Sequence, residues 1–124
     1  MVAPKKQRLR LDRTMRIKQG RDFLRVKQEG RRLVNGCLIA NWAKVAENMN
    51  TRLGVVVSKR VGNSVARSRA RRLLREAFRV HQWELAQAVD LVLVARPSIG
   101  HKTFSEVEQD YLTTLRKAGL LKGE

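Results

Sequence analysis

The spacing of apolar residues along the chain changes several times, and each change marks an element. Over residues 20–29, Phe23, Leu24 and Val26 stand among charged neighbours and Gly30 follows as a stop, which predicts a short helix. From Cys37 to Val45 apolar positions run almost unbroken through Trp42, a strand-like stretch, and residues 46–50 (Ala-Glu-Asn-Met-Asn) supply a polar turn. Leu53-Gly54-Val55-Val56-Val57 reads as a second strand, close enough to the first to predict an antiparallel hairpin between them. Gly62-Asn63-Ser64 is a turn whose Asn and Ser suit a helix N-cap, and a long helix is expected from about Val65 to about Val80. Asp90 to Ala95 reads as a buried strand ended by Pro97. The last helix opens with a capping box, Thr103 as N-cap and Glu106 three positions on. Phe104, Val107, Tyr111, Leu115 and Ala118 keep its period, and Gly119 stops it. The order helix, strands, helix, strand, helix predicts a single small α+β domain, with no internal repeat and no low-complexity linker.

The 124 residues suffice for one modest core, and a hydrophobic content of 43% is too high for a chain that stays disordered. Charge changes the picture more. Lys and Arg number 27 against 11 Asp and Glu, a formal net charge of +16. Such an excess opposes compaction and suggests a polyanionic partner: nucleic acid, an anionic membrane surface or an acidic protein. Residues 1–12, with Lys5, Lys6, Arg8 and Arg10 against Asp12, read as a basic flexible arm ahead of a domain over 13–121. No apolar run reaches the roughly 18 to 20 residues that span a bilayer, and the N-terminus lacks the apolar stretch of a signal peptide. No membrane partner is therefore expected, and the cytoplasm is the expected location. Cys37 is the only cysteine, which excludes an internal disulfide and a thiolate zinc cluster and leaves a small buried apolar residue as its role.

The informative segment is Lys59 to Arg79, which carries Lys59, Arg60, Arg67, Arg69, Arg71, Arg72, Arg75 and Arg79 with Glu76 as the only acid. At about 100° per residue, Arg71, Arg75, Arg79 and Arg72 fall within roughly 140° of Arg67. Ala66, Ala70, Leu73, Leu74 and Ala77 occupy most of the opposite side, with Arg69 and Glu76 near the far boundary. Like charges four apart on a helix repel by a few tenths of a kcal/mol per pair, whereas alternating signs would gain as much. A purely structural helix would alternate. Planar guanidinium groups suit phosphate oxygens and stack on bases, so an arginine-rich face favours nucleic acid over lipid. Among the aromatics, Phe78, Phe104 and Tyr111 lie on apolar helix faces and are expected in the core. Phe23 is open between core and cleft, and Trp42 lies in a strand that presents one aromatic side.

Catalytic constellations are missing from the sequence. His81 and His101 have neither metal-ligand nor triad spacing, and His81 falls near the apolar side of the arginine helix, where a structural role suits it. Glu106, Glu108 and Asp110 complement the positive end of the last helix, as Arg116 and Lys117 complement its other end. There is no glycine-rich phosphate-binding loop. No residue of the chain is expected to catalyse a reaction or to bind a metal by itself.

The run Val57-Ser58-Lys59-Arg60-Val61-Gly62-Asn63-Ser64-Val65-Ala66-Arg67-Ser68-Arg69-Ala70-Arg71-Arg72-Leu73-Leu74-Arg75-Glu76-Ala77-Phe78-Arg79 closely resembles the signature of the bacterial ribonuclease P protein component. A helix from Arg21-Asp22-Phe23 to Gly30 and two strands precede it, and a D-L-V-L-V-A-R-P strand and an amphipathic helix follow, so the resemblance covers residues 13–121. It implies a ribosomal-protein-like fold with a left-handed βαβ crossover, against the right-handed rule that holds for most such units. It implies a subunit that assists a catalytic RNA in endonucleolytic removal of the 5′ leader from precursor tRNA, with the magnesium ligands supplied by the RNA. By resemblance Lys59, Arg60, Arg67, Ser68, Arg69, Arg71, Arg72 and Arg75 would face that RNA. Phe23, Lys27, Asn41 and Trp42 would line a cleft for the single-stranded leader. Two positions depart from the family pattern. Ser68 stands where Asn is usual and lacks the amide's paired donor and acceptor. Lys27 stands where many members carry a second aromatic, so a phosphate contact is expected in place of stacking.

Two further classes fit a basic α+β domain. A structural ribosomal protein or general RNA chaperone would use the same face, and reconstitution with a ribonuclease P RNA separates it from the first reading. A DNA-binding regulator would set the arginine helix in a major groove, but base readout calls for side chains such as Asn and Gln beside Arg, and residues 67–79 offer little polar beyond Ser68 and Glu76. DNA is accordingly not expected as a partner.

Overall fold

The computed structural model describes Leu11 and residues 13–46 and 49–123. The basic arm expected over residues 1–12 lies outside these apart from Leu11, which packs against the main core, and the polar turn at 46–50 lies partly outside them. Helix α1 spans Gly20–Glu29, strand β1 Arg31–Asn35, β2 Leu38–Lys44, β3 Arg52–Val56, helix α2 Ser64–His81, β4 Val89–Ala95 and helix α3 Phe104–Ala118. The four strands form one sheet in the order β1-β2-β4-β3, antiparallel except for the β3–β4 pair. This is the small α+β domain that the element order predicts.

Strand β1 is the element the apolar pattern misses. Its residues Arg31-Arg32-Leu33-Val34-Asn35 are mostly polar because it is an edge strand, with only Leu33 packed against the main core. It turns into β2 through Gly36 and Cys37, with Gly36 at a φ of 56°, the left-handed backbone that a two-residue turn with glycine first requires. The hairpin expected between the Cys37–Val45 and Leu53–Val57 stretches does not form. β2 pairs with β1 and β4, and β3 pairs with β4 alone. The reason is that α2 crosses over from β3 to β4 and brings β4, apolar at every position but Asp90, between them, where both of its edges find partners.

Alternation along the strands sorts the side chains onto two faces. Val89, Leu91, Leu93 and Ala95 of β4, with Leu38, Ala40 and Trp42 of β2, meet Ala70, Leu74, Ala77 and Phe78 of α2 and Val107, Tyr111 and Leu115 of α3. Val92 of β4 and Ala43 of β2 meet Val26 of α1 and Ile17 on the other face. The same face carries a buried charge. Asp90 is wholly buried and accepts from Arg52 Nε at 3.0 Å and Nη2 at 2.8 Å, and from Arg25 of α1. Arg52 also reaches Asp22 of α1 at 3.6 Å. α1 is thereby tied to the sheet by ion pairs through Asp22 and Arg25 and by the burial of Val26.

The capping devices are those the sequence shows. Asn63 accepts the Ala66 amide at 2.9 Å to start α2. Thr103 and Glu106 close their reciprocal box at the head of α3, and Gly119 ends it at φ 75°, ψ 26°. His81, at the end of α2, bridges Glu84 and, at 2.7 Å, Glu108 of α3.

Two outcomes follow from these ion pairs. Arg52→Met leaves the Asp90 carboxylate with one partner and should cost on the order of 3 kcal/mol, read as a lowered urea midpoint with an unchanged slope. For His81, burial disfavours the charged ring, but the hydrogen bonds and charges of Glu84 and Glu108 outweigh it and raise its pKa above the ordinary value. Its stabilisation is therefore complete below the unfolded pKa of about 6.5 and lost as pH rises through the folded value. The melting temperatures of wild type and His81→Gln should differ at pH 5.5 and converge at pH 9.

Candidate nucleic-acid interface

Burial of Ala70, Leu74, Ala77 and Phe78 fixes the rotation of α2, and that rotation turns the arginines outward. Arg72 and Ser68 are exposed, and Arg67, Arg71 and Arg75 are half-buried beside them. Among the described residues none of Arg67, Arg71, Arg72 and Arg75 forms an ion pair with an acid. Arg79 does, holding Glu76 through Nε at 2.9 Å and Nη2 at 2.7 Å. Ser68, Arg71, Arg72, Arg75 and Arg79, with Glu76 as its one acid among the described residues, line an open groove of about 550 Å³, closed on its other side by Leu11 and Arg16. Burial, together with the charges of Arg16 and Arg71, holds the Arg75 pKa below its ordinary value. The positive charge in this groove is therefore concentrated rather than neutralised, which is the condition for taking up an anion.

Four of the sequence-predicted residues, Lys59, Arg60, Arg67 and Arg69, do not line the groove. Arg69 points to the opposite margin of α2 and donates to the carbonyls of Ile99, at 3.4 Å, and Lys102. It fastens the helix to the turn Pro97–His101. Arg67 has its Nε buried without a hydrogen-bond partner. Lys59 and Arg60 lie exposed in a short turn just before α2, capped by Ser58. Arg16 is the contributor that sequence reading passes over. Its neighbours carry no periodic signal, and it reaches the groove because it bridges to Leu53 at the outer edge of β3.

A second concavity, of about 480 Å³, opens on the other face of the sheet beside α1. Phe23 and Lys27, one helical turn apart, form one wall, Asn41 and Arg32 lie across from them, and Ile39, Val56, Val92 and Val94 make an apolar floor. Gly54 seats the aromatic ring: a Cβ there would lie 2.5 Å from Phe23 Cε1. Of the four residues expected in this cleft, the structure brings together Phe23, Lys27 and Asn41. Trp42 is not among them. Successive strand residues point to opposite faces, so Trp42 faces α2 and α3 in the main core while Asn41 faces the cleft. Arg32 is the residue missed, because β1 was missed. The Asn35-Gly36 pair ahead of an apolar run was the available hairpin signal.

The acids of α3 have structural partners. Glu106 completes the capping box, Glu108 holds His81, and Asp110 accepts the Cys37 amide at 3.0 Å and lies 3.5 Å from Lys102. Burial and the adjacent Asp110 push the Cys37 thiol up to about 12, which makes it inert as a nucleophile. Among the described residues no group of three His, Cys, Asp or Glu is placed to hold a metal ion, and no helix is long and apolar enough to cross a membrane.

The family model described as Ribonuclease P matches residues 11–119. The chain belongs to this family. The ribonuclease P protein component of Alkaliphilus metalliredigens is 38% identical over 106 residues, covering 86% of this chain and 95% of that one. That of Gluconacetobacter diazotrophicus is 40% identical over 114 residues, covering 91% and 98%. Among solved structures, the ribonuclease P protein of Staphylococcus aureus superposes with a TM-score of 0.80 at 30% identity over 87% of this chain and 98% of its own. That of Thermotoga maritima superposes with a TM-score of 0.74 at 27% identity, over 82% and 98%. Ribonuclease P protein components assist the RNA subunit in tRNA 5′ leader processing, and the chain shares that RNA partner.

If the α2 groove holds phosphates, Arg72→Ala and Arg75→Ala should each weaken binding to ribonuclease P RNA. Each should also lower the slope of log affinity against log salt by about 0.7 to 0.9, the share of one phosphate contact. Filter binding across a salt series on folded protein measures both, and an unchanged slope would remove that arginine from the phosphate-contacting set.

Proposed function

We propose that the arginine face of α2 docks this ribonuclease P protein on the catalytic RNA, while the cleft beside α1 holds the single-stranded 5′ leader of precursor tRNA. The observation that carries this reading is the placement of the two concavities. The basic groove belongs to the helix packed on one face of the sheet, and the cleft opens on the other. One small domain thus has a surface for each of two RNAs, and neither contact blocks the other. Lys59 and Arg60, exposed just ahead of α2, extend the docking face.

The cleft has the chemistry for a single strand. Phe23 offers a ring to one base, the valines and Ile39 an apolar bed, and Asn41 a donor and an acceptor for a base edge. Lys27 and Arg32 supply cations for the backbone phosphates. With Lys27 in place of an aromatic, this cleft holds the leader more through phosphates and less through stacking, so its base preferences are weak.

The protein supplies affinity and placement, and the cleavage chemistry belongs to the RNA. The magnesium ions this cleavage uses are held mainly by the RNA; among the described residues, Glu106, Glu108 and Asp110 are each engaged within the fold and no group of three His, Cys, Asp or Glu is placed to hold a metal. The cytoplasm is the compartment this reading assigns.

Reconstitution tests it. Added to a bacterial ribonuclease P RNA and precursor tRNA at low magnesium, the protein should increase the yield of mature 5′ ends over RNA alone; no stimulation by folded protein with a matched RNA would count for the ribosomal or chaperone reading. Within the reconstituted enzyme, Phe23→Ala should weaken precursors carrying a leader by roughly 5- to 100-fold, the range for losing one base stack. Affinity for leaderless tRNA should not change. Equal losses on both substrates would place Phe23 outside the leader site.

A further inference from the structure

The arginine face of α2 continues past its last arginine. Arg67, Arg71, Arg75 and Arg79 recur every four residues, and the next position in the series is Trp83, in the short turn Gln82–Glu84 that ends the helix. Trp83 is 42% exposed, whereas the chain's other indole, Trp42, is 8% exposed in the core. A ring of that size, half in water, presents apolar area that a partner can cover.

The surface beside Trp83 is concave. A slot of about 380 Å³ has Phe78 and Met15 among its apolar walls, the amides of Asn50 and Gln87 as donors and acceptors, and Lys122 as a cation. It follows on from the basic groove. Arg79 lines the groove and Phe78 and Trp83 the slot, and the segment before α1 walls both, through Arg16 in one and Met15 in the other. An acidic peptide would call for several cations around the ring, and the slot has one. An unpaired nucleobase matches what is present, with its flat π face for the indole and its polar edge for the amides.

We infer that this slot takes one unstacked base of the ribonuclease P RNA against Trp83, extending the phosphate-binding groove by a contact that does not depend on charge. The inference rests on α2 being the RNA-docking face, and the test separates the two. Full-length wild type, Trp83→Ala, Trp83→Phe and Arg75→Ala are titrated against ribonuclease P RNA over a salt series. Trp83→Ala should bind roughly 5- to 100-fold more weakly at every salt concentration with the slope unchanged, because a stacked base releases no counterions. Trp83→Phe should recover most of the loss. RNA should also shield wild-type tryptophan fluorescence from acrylamide, while Trp83→Phe, left with buried Trp42 alone, should show no such change. Undiminished binding by Trp83→Ala, a changed slope in that variant, or no shielding would each overturn the slot. If Arg75→Ala also bound as wild type, the docking face itself would fall; if Arg75→Ala weakened and Trp83→Ala did not, the slot alone would.

Discussion

The carboxylate of Asp90 is the fixed point of this fold. It sits with no exposure in β4, the strand paired on both edges, and a charge there is tolerable only because Arg52 from the neighbouring strand and Arg25 from α1 both reach it. Hydrophobic contact alone would let a ten-residue helix with one fully buried side chain, Val26, slide over the sheet. Directional ion pairs prevent that sliding. They set where Phe23 and Lys27 lie relative to β2 and β3, and therefore the width of the cleft. The recognition surface on that face depends on a charge buried beneath it.

On the other face the electrostatics run the opposite way. The chain has few acids, and most of those described are committed inside the fold: Asp22 and Asp90 to α1 and the sheet, Glu84 and Glu108 to His81, Glu106 to the α3 cap, Asp110 to the Cys37 turn. Only Glu76 sits among the α2 arginines, and it pairs with Arg79. Arg67, Arg71, Arg72 and Arg75 are held on one side of the helix without an ion pair to any described acid, and the burial of Leu74 and Phe78 offsets their repulsion. The core keeps these charges close enough for a polyanion to bind several at once.

Much of this was readable from local pattern. The helix boundaries at Gly30, Asn63, Thr103 and Gly119 depend on backbone geometry and capping that a few adjacent residues decide, and each stands where those residues put it. The 100° spacing of the arginines likewise follows from helical geometry alone. Arg69 shows where that reading ends: its place on the helix was legible, but its engagement with Ile99 and Lys102 depends on a turn 30 residues away.

The sequence by itself determined the α+β class, the identity and ends of the three helices, the apolar strands and the basic face of α2, because each depends on residues within a turn or two of one another. Tertiary structure decided strand pairing, since hydrogen bonds between strands are indifferent to sequence distance and β4 had to arrive before β2 and β3 could be separated. It also assigned Asn41 and Trp42 to opposite sides, because an alternating strand has two equivalent faces until something packs on one of them. And it revealed Arg16, Arg32 and the charge cluster at Asp90, whose partners converge from segments that no local period connects.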